Sequence, residues 1–221
     1  MNMRARALDL VKLGVIGLAL KAVSLYKISF IFGSQAAFFN GSSVAIPLIG
    51  FFVGSLGSVA FLLARLSSWY LFSSGSLHLL SFVIPGFCAS LYWTTKHSLL
   101  RFWLPLSCMA AFIAHPAGRD AFIYSFYWLI PVALYFTNRQ NIWADALGST
   151  FVAHAVGSVI WIYTVPTTAA LWLSLLPVVA VERLVCAAGM AGVCYAYLMA
   201  RTPVHALIAR LKTAVQQYKH V

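Results

Sequence analysis

The feature that most limits how this chain can fold is a succession of long apolar runs. Seven of them, separated by short polar or turn-rich breaks, are Leu13–Gly33, Ser43–Arg65, Gly75–Thr94, Leu99–Ala114, Ala121–Phe136, Ala146–Tyr163 and Leu171–Ala200. A helix that crosses a membrane needs about twenty apolar residues. The sequence therefore predicts an all-α fold, a polytopic transmembrane helix bundle whose backbone polar groups are paired within each helix.

Composition argues against a water-soluble fold. Of the 221 residues, 62% are hydrophobic and only 9% are charged, and the mean hydropathy is +0.88. Soluble domains carry about a quarter charged residues. A single soluble core of this size could not hide so much apolar surface, so lipid is the expected solvent.

The net charge of +11 indicates contact with anionic lipid headgroups rather than with nucleic acid. The basic residues gather at the two ends and between the apolar runs, as the positive-inside rule describes. The four cysteines, Cys88, Cys108, Cys186 and Cys194, lie in apolar runs and form no CxxC pair. We interpret them as small apolar helix residues.

The basic ends also predict the topology. Both termini should be cytoplasmic, since Arg4 and Lys12 mark one end and Arg201 and Lys219 mark the other. An even number of spans follows, and the run Leu13–Gly33 is the weakest because two lysines interrupt it. Six spans from Ser43 onward are preferred. In the alternative topology, the run Leu13–Gly33 is a span and Leu99–Ala114 is a re-entrant segment, so that seven candidate runs still give six spans.

Three regions result from this topology. Residues 1–33 form a basic N-terminal helix that is interfacial or the first span, residues 34–200 form the transmembrane bundle, and residues 201–221 form an amphipathic basic cytoplasmic tail. Thr202 and Pro203 suit the start of a separate helix in that tail. Its apolar stripe predicts a helix lying in the membrane plane or, alternatively, a docking surface for a cytoplasmic partner.

Two ionisable residues lie within the last apolar run. Glu182 is near its middle and is followed by Arg183. Charged groups at that depth are costly and mark functional sites by default. Adjacent helix residues point about 100° apart, so we expect the two side chains to have different partners. The alternative is a structural clamp between helices.

A small polar face accompanies His154 on the run Ala146–Tyr163. Ser158 lies one turn further along, and Trp161 lies near the end of the run, where an aromatic ring could stack on a planar ligand. Together with Glu182 and Arg183, these residues are the candidate substrate-binding set. For His154 alone, an interhelical hydrogen bond is the other interpretation.

Other positions carry structural predictions. Asp120 and Asp145 each immediately precede an apolar run, as helix N-caps do. Gly50, Gly54 and Gly57 share one helical face. Such a face predicts close helix packing or a partner contact.

Several chemistries lack their motifs. There is no HExxH zinc spacing, no GxSxG elbow and no P-loop. We therefore expect no metal, no cofactor and no catalytic residue. An intramembrane enzyme or haem protein using His154 and Glu182 is the alternative, with His78 and His154 as at most one haem pair. A structural membrane subunit is a third hypothesis.

The run PLIGFFVGSLGS (Pro47–Ser58) and the later IPGF (Ile84–Phe87) resemble features of substrate-binding S components of energy-coupling-factor (ECF) vitamin transporters. Size, basic charge, six predicted helices and the near absence of soluble loops are also similar. The resemblance implies a subunit that captures a small vitamin-like solute in the inner membrane of a bacterium. It also implies a transmembrane coupling subunit and ATPases on other chains.

Overall fold

A computed structural model gives the architecture of residues 41–72, 80–137 and 141–218. At residues 69, 71–72, 80–82 and 202–218 it gives only the course of the helix backbone. The predicted N-terminal helix over residues 1–33 lies outside the described residues, as does His78.

Every regular element in these three ranges is helical, which confirms the predicted all-α class. The α-helices are α1 (Ser42–Ala45), α2 (Leu48–Phe72), α3 (Leu80–Thr94), α4 (Leu104–Ala114), α5 (Pro116–Asp120), α6 (Leu129–Thr137), α7 (Ile142–Thr164), α8 (Ala169–Ser174) and α9 (Leu176–Tyr218). A π-helical turn, Leu99–Trp103, leads into α4, and a 3-10 segment, Phe122–Trp128, leads into α6.

Within the described residues, three helices are long and apolar enough to cross a membrane: Leu48–Ser68, Ile142–Thr164 and Leu176–Arg201. Leu99–Ala114 and Phe122–Thr137 are also apolar but are shorter than 18 residues. The three long helices fit a membrane protein. The count of six spans stays a prediction.

The central helix is α7, which packs against both α3 and α9. Gly148 makes the contact with α3 close, because a Cβ at that position would overlap the ring of Tyr92. Ser149 reinforces it, as its hydroxyl donates to the carbonyl of Ala89 at 2.8 Å. Small residues on α7 therefore let its neighbours approach closely enough to form a buried interior.

Helix α2 is broken at Gly54, where φ is 78° and ψ is −166°. This region of backbone space is essentially restricted to glycine. The Ser58 hydroxyl donates to the Gly54 carbonyl at 3.1 Å and lies 2.6 Å from the hydroxyl of Ser90 on α3. One turn before the break, Gly50 packs directly against the backbone of Ser90. The small-residue face of α2 is thus used to bring α3 close.

The breaks between helices gather at two ends of the bundle. Lys96, after α3, forms an ion pair with Asp145, near the start of α7. At the other end, the ring of His115 lies against Tyr163, whose hydroxyl donates to the carbonyl of Ala111. Each of these contacts brings the ends of two helices together. That both termini are cytoplasmic stays a prediction.

The prediction of a separate tail helix is wrong. Helix α9 runs without interruption from Leu176 through Pro203 to Tyr218. Proline removes one backbone donor, but its fixed φ near −65° is itself a helical value. The helix therefore continues through it. The predicted apolar stripe of the tail depends on side chains outside the described residues.

Both predicted aspartate caps are also wrong. Asn141 caps α7, accepting a hydrogen bond from the Ala144 amide at 2.6 Å, so α7 begins at Ile142, four residues before the apolar run. Asp145 consequently lies in the first turn. Asp120 ends α5, and the following 3-10 segment starts with no side-chain cap.

Candidate functional site

Polar side chains meet inside the bundle where α7 faces α9. Thr150, His154 and Ser158 are spaced by four residues and therefore share one face of α7. From α9, the Arg183 side chain reaches this face and donates from Nη1 to the Thr150 hydroxyl at 3.3 Å. Arg183 is only 4% exposed. A charged group buried in a membrane protein is costly and needs polar partners close by.

Glu182 approaches Arg183, contrary to the prediction that the two would have different partners. Its Oε2 atom lies 3.9 Å from Arg183 Nη2, at the limit of an ion pair. Both side chains are long enough to turn toward each other across the 100° that separates them on the helix. The Glu182 side chain is 18% exposed, so the pair extends from the interior to the edge of the helix face.

The depth of Glu182 also differs from the prediction. The run Leu171–Ala200 contains two helices, because α8 ends at Ser174 and α9 begins at Leu176. Glu182 therefore lies about 9 Å along α9 from its start, given a rise of about 1.5 Å per residue. It is in the second turn of the helix rather than at its middle.

An aromatic group surrounds His154. Its ring centroid lies 5.4 Å from that of Tyr124, 6.4 Å from Trp128 and 6.5 Å from Phe151. The residue as a whole is half-buried, yet its Nε2 atom is shielded from solvent and has no hydrogen-bond partner among the described atoms. Trp128 Nε1 is in the same situation. A buried polar atom without a partner calls for an explanation, such as a bound water, an ion or a functional role.

The polar groups share one neighbourhood. The Tyr124 side chain lies within hydrogen-bonding reach of Ser158 and close to both Glu182 and Arg183. Arg183 is also close to His154. Tyr127, three residues beyond Tyr124, donates to the Leu176 carbonyl at 2.8 Å and so fixes the 3-10 segment to the start of α9. This part of the bundle therefore brings together a carboxylate, a guanidinium, an imidazole and aromatic rings.

The chain matches no protein-family model, no curated protein and no solved structure. The functional argument therefore depends on the chemistry of the site itself.

The remaining predicted site residues are placed as follows. Trp161 is half-buried and packs against the apolar cluster that contains Tyr124. Gly50 contacts α3 within the same chain, a Cβ at Gly57 would meet Val53 of its own helix, and a Cβ at Gly54 would meet nothing within 4 Å. Of the three glycines predicted to contact a partner, only Gly54 thus leaves open space beside it. In the described parts of the chain, no three potential metal ligands come together.

Sequence reasoning missed a second polar cluster, at the end of the bundle where α3 and α7 meet. Lys96 Nζ donates to both carboxylate oxygens of Asp145, at 2.8 and 2.9 Å. Arg101 Nη2 lies 2.9 Å from the same Oδ1 and also donates to the Tyr92 carbonyl at 2.7 Å. The Arg101 guanidinium sits 3.9 Å above the Tyr92 ring, a cation–π arrangement.

A usable signal for this cluster was present in the sequence. Lys96 and Asp145 lie in the breaks Thr95–Ser98 and Thr137–Asp145, and six spans counted from Ser43 would put these two breaks at the same membrane face. Asp145 was instead assigned to a cap. No sequence motif predicted the π-helical turn that carries Arg101.

Proposed function

We propose that this protein is a membrane-embedded subunit that binds or transports a small solute. The observation that carries the proposal is His154 Nε2, which is buried without a hydrogen-bond partner among aromatic rings and lies close to Arg183. An unpaired buried polar atom costs about 1–3 kcal/mol. A solute that supplies the missing hydrogen bond would recover that free energy on binding.

The surrounding groups indicate the kind of solute. The rings of Tyr124, Trp128 and Phe151 favour a flat, partly apolar molecule. Glu182 and Arg183 add one acceptor and one donor of opposite charge, which suits a polar or zwitterionic substituent. A vitamin-like molecule combines these properties. The chain has no P-loop, so energy for transport would come from ATPases and a coupling subunit on other chains, in a bacterial inner membrane.

A structural role is the second candidate, because Arg183 bonds to Thr150 across the α7–α9 contact and Glu182 lies 3.9 Å from Arg183 Nη2, where its charge would support that bond. Glu182→Gln separates the two, since it keeps the shape of the side chain and removes its charge. A clamp should lose thermal stability on this change. A solute site should stay folded and lose binding.

The experiment measures both quantities on one preparation. Detergent-purified wild-type and Glu182→Gln protein are compared by thermal unfolding and by mass spectrometry of the small molecules released on denaturation. We expect an unfolding temperature close to that of the wild type and retention lowered by about 10- to 100-fold, the effect of removing one charged hydrogen-bond partner. Unchanged retention with a large loss of stability would support the clamp instead.

A further inference from the structure

The cluster of Lys96, Arg101 and Asp145 carries more positive charge than it neutralises. Arg101 is 6% exposed, and it is committed to Asp145 and to the carbonyls of Tyr92 and Thr95. The Lys96 side chain, in contrast, is 48% exposed. Two cations share one carboxylate, so the surplus charge resides on the more accessible group.

Lys96 has a donor left over. An ammonium group carries three N–H donors, and two oxygens of Asp145 are within 2.9 Å of Nζ. Those contacts fix the position of Nζ beside the helix end. The remaining N–H and the surplus charge are available to an anion approaching from the bundle surface.

Exposed apolar side chains follow this cation in the chain and lie on the neighbouring helix α6. Leu99 and Trp103, on the π-helical turn, are both exposed, and so is Phe136 at the end of α6. Phe102 lies between Trp103 and Phe136, with its ring centroid 4.9 Å and 5.6 Å from theirs. Aromatic residues at helix ends typically lie at the headgroup level of a bilayer.

We propose that this surface is a binding site for the headgroup of an anionic phospholipid. A phosphate oxygen accepts a hydrogen bond from Lys96, while the first part of an acyl chain lies along Leu99 and Trp103. Charge complementarity selects a headgroup with a net negative charge over a zwitterionic one. The proposal rests on the chain being embedded in a membrane, and it is independent of the solute at His154.

The test uses the full chain purified in detergent, with equimolar phosphatidylglycerol and phosphatidylcholine, and native mass spectrometry to measure the ratio of retained lipids. We expect the wild type to prefer phosphatidylglycerol. Lys96→Gln should lower that preference by about fivefold, the effect of one cation near an anionic surface. Arg119→Gln is the matched control, since Arg119 is exposed at the opposite end of the bundle, and it should leave the preference unchanged.

Two further measurements keep the proposal open to refutation. Arg101 still pairs with Asp145 in Lys96→Gln, and size-exclusion profiles should show that this variant is folded. Glycerol 3-phosphate tests for a free phosphate, and it should leave the lipid ratio and the unfolding temperature unchanged. Equal retention of the two lipids by the wild type, an unaltered preference in Lys96→Gln, or full displacement by glycerol 3-phosphate would overturn the proposal.

Discussion

Asp145 Oδ1 lies 2.9 Å from Nη2 of Arg101, and this contact joins the first turn of α7 to the π-helical turn that precedes α4. The guanidinium is nearly buried, so it needs a compensating charge close by. Asp145 supplies it from a helix that also contacts α3 and α9. The position of the central helix along its axis is therefore fixed at one end by an ion pair.

Asp145→Asn should destabilise the fold by about 2–3 kcal/mol. Removing one partner of a buried pair leaves an uncompensated charge, which costs about 3–5 kcal/mol when burial is complete. The Asp145 side chain is 16% exposed, which lowers the expected loss. Thermal unfolding in detergent, followed by tryptophan fluorescence, measures the effect. Asp120→Asn, at an exposed aspartate, is the control and should change stability by less than about 0.5 kcal/mol.

Gly50→Ala should also destabilise, because the new Cβ would overlap the carbonyl of Ser90 on α3. Overpacking of this kind costs about 1–3 kcal/mol. Gly192→Ala on α9 is a matched control, since a Cβ there meets nothing within 4 Å. It should be neutral or stabilising by up to about 1 kcal/mol through helix propensity. If both variants unfold at the same temperature, the result would contradict the close packing of Gly50 on α2 against Ser90 on α3.

Gly54→Ala tests the break in α2 by a different route. Its Cβ would meet nothing within 4 Å, as at Gly192, but its φ is 78°. An L-residue in that backbone region costs about 1–3 kcal/mol. We therefore expect Gly54→Ala to lose stability while Gly192→Ala does not. A straightened α2 would remove the difference, and equal unfolding temperatures would show it.

The helical class and the approximate positions of the helices follow from the apolar runs, because a run of about twenty apolar residues has few other uses. The position of Glu182 along its helix could not be predicted from these runs. Leu171–Ala200 shows no polar break, whereas the chain ends α8 at Ser174 and restarts as α9 at Leu176.

Pairings between helices were harder to predict than the helices themselves. The contact between Lys96 and Asp145 depends on how α3 packs on α7, which the apolar runs do not specify. The surroundings of His154 depend on the 3-10 segment Phe122–Trp128, which presents Tyr124 and Trp128 to α7. The apolar pattern of that run gives no indication of 3-10 geometry. The polar neighbours of His154 on its own helix could be predicted from the sequence, whereas the aromatic residues that contact it from other elements could not.

Native mass spectrometry of the detergent-purified wild type and His154→Phe tests the solute site most directly. Phenylalanine preserves an aromatic ring among Tyr124, Trp128 and Phe151 and removes the buried Nε2 atom, so the variant should fold and unfold like the wild type. We predict that the wild type retains a small molecule at a stoichiometry approaching one and that His154→Phe loses it. A wild type without any retained molecule, or a His154→Phe variant that holds the same molecule equally well, would contradict the proposed function.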